Sequence, residues 1–548
     1  MIAKKDAARL RALDRELMTK FVKSYPRAKR SAKWQNPQLQ SLMKRKGVGA
    51  PSLLRDLQAR AERNGLFDVR LERHRWVDID KARYVHTLAR AAGTTMWPMG
   101  THYWVRDNAI IGARFLTSSS VNRRKAGREL LLSGMNFMSS CAQLERFERI
   151  IQSRSRKLVA DAHNWPHIFA GIKDNLSSSK PELWAHKQDA WQILVWHTLD
   201  ALESGAIRLS ELSAKNRRFL GLIVPFLAKV SFWECENSGS WEEIPAVRSS
   251  VRVWDHRLVV RLGELASQSS FRFLEAEFKR VRSYLGVRFR ASNYSALIAY
   301  LDREATKVML RDLPFESPGY KRGDTRYREA DAALLYALEL SYPEFLAERA
   351  GKSAAWARAL EKKILQQVLS LQDERSGAIY RYANDSYQRS GFFRHLTVER
   401  LRDLYGAPSG DASSHFAGRD RVVPRGRKAA WTHFVWQLAS WAGLRYERTG
   451  STEYAALHER FFEQGLQLIT QHSWTLDVDE EGLTRIAEVP AWRMPECYIA
   501  DTTNSGDELV FPSPHTPLNW STAEMLYAFE VRHKVLAIGV TSKARRAA

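Results

Sequence analysis

The chain has 548 residues, 44% of them hydrophobic, and no stretch with the biased composition of a disordered protein, so a sizeable core is expected. Its net charge is +24, and residues 1–64 hold seventeen Lys and Arg against five acids, so half of the surplus sits in the first eighth of the chain. The three cysteines, Cys141, Cys235 and Cys497, are far apart and argue against a zinc ribbon, a redox motif or a disulfide framework. The N-terminus lacks a signal-peptide apolar region and no segment approaches 18 uninterrupted apolar residues, so the expectation is a cytoplasmic protein with no membrane partner.

Helical spacing begins at Leu10, Leu13, Leu17 and Phe21, followed by a polar, basic stretch and a second short helix opened by Pro51. Between Phe67 and Asp80 the pattern is strand-like. From about Tyr84 onward the spacing predicts helix after helix, over 106–117, 122–144, 187–203, 209–230, 246–284 (one helix or two), 293–311, 326–340, 353–371, 394–404, 428–445, 451–472 and 519–532. Strand signals are few, at Ile379–Tyr382 and around Leu483–Glu488. The stretches 189–202 and 428–444 are apolar almost all round, which predicts helices buried on more than one side. About a dozen helices alternating between buried and amphipathic suggest an inner and an outer ring, and no 33–47-residue period marks a solenoid. The division expected is a basic, partly helical extension over 1–70 and one helical domain over 71–548.

Four motifs carry chemistry. The segment Asn237-Ser-Gly-Ser-Trp-Glu-Glu-Ile-Pro places Glu242 and Glu243 directly after Trp241. Adjacent acids at a helix start are commonly just N-terminal charges, but such a pair also suits a general acid whose pKa is raised by an apolar wall and a like-charged neighbour. A second acid, Glu496, stands in Arg-Met-Pro-Glu-Cys-Tyr, with Pro517-Leu-Asn-Trp520-Ser behind it. The third motif is Tyr103-Trp104-Val-Arg106-Asp107-Asn, and the fourth is Trp184-Ala-His-Lys-Gln188-Asp189. The eighteen Trp fit stacking on sugar rings as well as ordinary core packing. His163 and His167 flank a proline that breaks the helix needed to pair them on a metal, and Asp477-Val-Asp479 lacks the spacing of a calcium loop, so no metal or cofactor is expected.

In this order, over about Gly100 to Phe529, the four motifs resemble glycoside hydrolase family 15, the glucoamylase family, with a spelling similar to the related barrel domain of the phosphorylase kinase α and β subunits. Smaller echoes are Gly377-Ala-Ile-Tyr-Arg381-Tyr-Ala-Asn-Asp385 and Glu329-Ala-Asp331. The resemblance implies an all-α (α/α)6 toroid, or barrel, with long loops at the active-site end and few short strands. It further implies an inverting exo-acting α-glucosidase hydrolysing a terminal α-glucosyl residue, with Glu242 as general acid and Glu496 as general base. Arg106 and Asp107 would hold the outermost glucose, Trp104 and Trp241 would wall its pocket, and Trp184 would border the next subsite. Glu243 would bind substrate, and Trp520 would support the base.

The sequence departs from the family at three positions. The acidic residue two before the Trp of Trp-Glu-Glu is here Gly239. The tyrosine two before the Trp of Trp-x-Arg-Asp is His102, and the tyrosine two earlier, which contacts water and base, is Gly100. These departures weigh against glucoamylase-level activity on starch. The partner expected is an α-glucoside or glucan, and a nucleic acid or other polyanion only through the basic N-terminal arm. The alternative reading is a non-catalytic glucan-binding regulatory protein of the phosphorylase kinase subunit type.

Overall fold

The computed structural model describes residues 39–41, 44, 51–77, 83–90, 102–155, 164–171, 189–241, 245–286, 292–324, 326–383, 385, 429–470, 474–480, 483–502, 508–513 and 516–547. Its helices alternate between two layers in chain order. α1 (Pro51–Arg63) is outer, α2 (Val105–Leu116) inner and α3 (Val121–Met138) outer, followed by the accessory α4 (Cys141–Gln152). α5 (Asp189–Glu203) is inner, α6 (Ala214–Val230) outer and α7 (Ser249–Ala266) inner. After the accessory α8 (Arg272–Val281) come the outer α9 (Tyr294–Asp312) and the inner, short α10 (Leu335–Glu339). The accessory α11 (Tyr342–Arg349) precedes the outer α12 (Ala354–Leu369). The set closes with inner α13 (His433–Thr449), outer α14 (Thr452–Gln467) and inner α15 (Asn519–Ala547).

Contacts between neighbours establish a closed ring. α2 packs on α5, α5 on α7, α7 on α10, α10 on α13, α13 on α15, and α15 returns to α2. Six inner helices therefore form an all-α toroid, and each has an outer helix against it. The outer helices read as one-sided: α9 buries Leu297, Leu301, Ala305 and Met309, one face at helical spacing. Inner helices are buried on nearly every side, as α5 and α13 illustrate. α2 and α3 approach so closely that a Cβ on Gly127 would strike the Gly112 carbonyl oxygen, which is why small residues face each other there.

The predicted helices recur with shifted ends. The stretch 122–144 is two helices, broken at Ser139 and Ser140, and 246–284 is also two, broken over Ser267–Phe271. α15 runs to Ala547 rather than stopping at residue 532. The helix expected at 394–404 and the one carrying Leu10 to Phe21 lie outside the described residues. α1 falls inside the 1–70 segment, and it packs on α15 with Leu53, Leu54, Leu57 and Ala61 buried, completing the outer layer.

The strands are short. β1 (Leu71–Val77) pairs antiparallel with β2 (Arg83–Ala89), where helix had been expected from Tyr84 onward. β3 (His102–Trp104) pairs with β4 (Phe169–Gly171). β5 (Ile379–Tyr380) and β6 (Ala429–Trp431) join β9 (Cys497–Thr502) and β10 (Glu508–Pro512) in a four-stranded antiparallel sheet of order β10-β9-β6-β5. β3, β6 and β9 lie among buried residues. β7 (Trp474–Glu480) and β8 (Leu483–Val489) pair antiparallel, and β7 includes Asp477, Asp479 and Glu480. Among the described residues, no helix is long and apolar enough to cross a membrane.

Candidate active site

The N-terminal ends of the inner helices gather at one end of the toroid, and most of the sequence-predicted residues meet there. Trp104 ends β3, stacks on Phe169 with ring centres 5.3 Å apart, and lies just before α2. Asn108 fixes this entry: its amide donates to the Trp104 carbonyl at 2.9 Å and to the Ala89 carbonyl at 3.0 Å, and accepts from the Ala89 amide at 2.7 Å. The chain is thereby held so that Arg106, in the first turn of α2 with Asp107 beside it, reaches the ring's mouth.

Arg106 is buried. Its guanidinium donates to the Ser240 carbonyl at 2.6 Å, lies 3.4 Å from Asp189 and 3.8 Å from Asp107, and sits over the Trp520 ring at 5.1 Å. Burial works to lower its pKa, but Asp189 and then Asp107 outweigh it and the net shift is upward, so the charge is fixed. The bond to Ser240 holds the loop immediately before Trp241. Asp189, at the start of α5, is fully buried beneath it. Deeper still, Asp255 accepts a hydrogen bond from Gln192, and burial raises its pKa well above the usual carboxylate range.

Trp241 is clamped by a residue that the motif reading left among the smaller echoes. Its indole Nε1 donates to Asp331 Oδ1 at 2.7 Å, and Arg328 donates to Asp331 Oδ2 at 2.8 Å. Asp331 also accepts from the Ala333 amide at 2.9 Å, capping the turn that leads into α10. Beneath this loop lies Glu316, whose carboxyl is pushed up to about 8 by burial and then by the Asp331 charge. Gly239 has φ of +64°, and a Cβ there would run into the buried Arg248 side chain. The position that is acidic in glucoamylases is therefore built here around an arginine, which counters the Glu316 charge from the same buried cluster.

Glu496 lies one residue before β9 and is fully buried. Ser513 donates to its Oε2 at 3.1 Å, and its backbone carbonyl accepts from the Thr432 amide at 3.2 Å. Trp431, next to Thr432, has its ring centre 6.0 Å from that of Trp241. Positions 241 and 496, more than 250 residues apart in sequence, thus border the same two-residue segment. Trp520 stacks on His433 at 4.1 Å and donates to Glu524 at 3.3 Å. His433 is buried between Trp431 and Trp520, and burial, then the Arg106 charge, keep its imidazole neutral with a pKa well below the usual value.

Two residues join the site that the sequence had not singled out for it. Arg381 and Asp385 form a buried two-armed pair at 2.7 and 2.6 Å, with the Arg381 guanidinium 5.6 Å from the Trp241 ring and 5.7 Å from the Trp431 ring. Both stand in the Arg-Tyr-Ala-Asn-Asp echo, which was the signal available. Trp184, Glu242 and Glu243 lie outside the described residues, as do Gly100 and Gln188.

No family model matches the chain, and no curated protein matches it. Among solved structures, it is similar to the glucoamylase of Saccharomycopsis fibuligera, at 13% identity and a TM-score of 0.45, over 82% of this chain and 89% of that one. It is also similar to a glycosidase variant complexed with glucose, at 15% identity and a TM-score of 0.42, over 81% and 91%. A bacterial glucoamylase complexed with acarbose shares 13% identity at a TM-score of 0.40, over 82% of this chain and 54% of that one. At these levels the toroid rests on its own closed ring of contacts, and substrate and residue roles do not transfer.

Proposed function

We propose that this protein is an inverting exo-acting α-glucosidase, with Glu242 as general acid and Glu496 as general base. The observation that carries this reading is the convergence of Arg106, Trp241, Arg381 and Glu496 at the mouth of the ring. A buried carboxylate, two buried arginines and indole walls from distant segments have the composition of a pocket for a neutral, hydroxyl-rich ring. Trp104 and Trp520 extend the wall, and Asp107 offers acceptors beside Arg106. Position 242 directly follows Trp241, whose indole is clamped by Asp331.

In the proposed step Glu242 gives its proton to the glycosidic oxygen as the C1–O bond breaks. Glu496 takes a proton from a water whose oxygen bonds C1 from the opposite face. An inverting pair leaves about 6.5–9.5 Å between carboxyls for that water. Glu243 and Trp184 are proposed as further substrate contacts. The substrate is an α-glucoside or glucan, and the basic N-terminal arm is the proposed contact for any polyanion. Hydrolysis of maltose, isomaltose, trehalose and dextrin, followed by reducing-sugar or glucose release, tests the reading. Release of glucose from at least one supports it. Binding without any hydrolysis would replace it with the glucan-binding regulatory reading.

A further inference from the structure

We propose that a cleft on the flank of the toroid binds a small molecule carrying a phosphate monoester. The cleft has a volume of about 670 Å³ and lies between the turn after α1, the start of α3, the loop before β9 and the entry to α15. That size falls within the ~300–1,000 Å³ range of small-molecule sites. Its floor is apolar, with Phe67, Phe115, Leu71 and Ala126, and its charged groups are four arginines and two acids.

The charges do not cancel. Glu72 is taken by Arg90, whose guanidinium donates to it at 2.7 and 3.2 Å. Asp68 is the carboxylate acting on Arg493. Arg70 and Arg123 remain, and neither makes an ion pair among the described residues. The surplus is two positive charges, and a phosphate monoester carries about −1.5 to −2 near neutral pH.

Two of the arginines are also held in place. Arg493 donates to the Asn64 carbonyl at 2.5 Å and to the Trp492 carbonyl at 2.9 Å, so its fork is anchored at one end. Burial lowers its pKa more than Asp68 restores it, so an added anion would relieve an under-neutralised cation. Arg123 lies over the Phe67 ring at 5.6 Å, and the first turn of α3 contains no acid. Guanidinium groups arriving from three separate segments can each offer a fork to a tetrahedral anion, whereas a planar carboxylate is matched by one. The apolar floor suits the body of a ring-bearing ligand, so a sugar phosphate and a nucleoside monophosphate share the required chemistry.

Calorimetric titration of the full chain with ribose 5-phosphate, AMP and inorganic phosphate tests this, with ribose and adenosine as uncharged controls. None carries a glucosyl ring and the readout is heat, so the result stands apart from the proposed hydrolysis. The expected result is one-site binding of ribose 5-phosphate or AMP, weaker binding of inorganic phosphate, and none of the controls. The tighter of the two identifies the source of the phosphate. The double variant R70Q/R123Q should weaken binding by about tenfold or more. The charge-matched R358Q/K362Q, on the exposed face of α12, should leave it unchanged. Three results would overturn the proposal: no saturable binding of any phosphate compound, equal loss in both double variants, or binding confined to a polyanion such as heparin.

Discussion

Two arginines eight residues apart on α2 meet very different surroundings, and the contrast separates what holds the ring together from what is open to chemistry. Arg114 reaches Glu524 of α15 and Glu339 of α10, both at 2.9 Å, and lies over Tyr527 at 4.5 Å. It joins three inner helices by short contacts to two carboxylates. Burial works to lower its pKa, but Glu524 and then Glu339 outweigh it and leave its charge more firmly held than usual. Among the described residues, Arg106 has carboxylates at 3.4 and 3.8 Å and gives a 2.6 Å bond to a loop carbonyl, Ser240. The first is a closed strut. The second props a loop and lies among indoles and carboxyls brought together from separate segments.

If that division is right, changes at the two ends should affect different quantities. The largest effect is expected at the mouth. Glu496→Gln should lower glycoside hydrolysis by about 10²–10⁴-fold or more while leaving the melting temperature nearly unchanged. Glu242→Gln should lose natural glycosides to a similar extent yet retain far more activity on α-glucosyl fluoride, whose leaving group needs no proton. Kinetics on both substrates checks the pair.

At the strut the pattern should reverse. Arg114→Met leaves Glu339 and Glu524 buried without their cation and should cost about 3–5 kcal/mol of stability, read from denaturant unfolding, with turnover per folded molecule preserved. An intermediate case is Asp331→Ala, which strands the Trp241 indole N–H. It should cost about 1–3 kcal/mol and lower kcat by about 10–100-fold, since a displaced loop misplaces its acid.

The most gradual effect is in pH dependence. Glu339 is pushed up to about 7 by burial, with Arg114 opposing and the Glu524 charge adding to it, and Glu316 is pushed up to about 8. Both carboxyls hold protons in the folded state that the unfolded chain releases above about 4.5, so stability falls as pH rises from there toward 7 or 8. Each contributes at most about 1.4 kcal/mol per pH unit within its window. Melting temperature against pH should show this decline, and Glu316→Gln should remove the part between pH 7 and 8.

Much of this division was legible in the sequence, for physical reasons. Helices such as 189–203 and 433–449 are apolar all round because they are enclosed on every side, and outer helices show one stripe because only one side is covered. β2 escaped notice because its buried run includes His86 and Thr87, polar residues that no apolar pattern reports. Glu496, Arg106 and Trp241 stood out by motif, and their meeting at one end follows from inner helices that all enter there. The Asp331 clamp and the Arg381–Asp385 pair were visible only as echoes. Their partners are some 90 to 140 positions away for Trp241, and spacing within a motif carries no information about contacts at that range.

The central claim is the opposed pair of carboxyls at positions 242 and 496, and the anomer of the first product tests it most directly. Proton NMR during the first turnovers on an α-glucoside, before mutarotation mixes the forms, should show β-glucose appearing first. α-Glucose as the initial product would mean retention, which requires a nucleophile close to the acid, and would contradict the account.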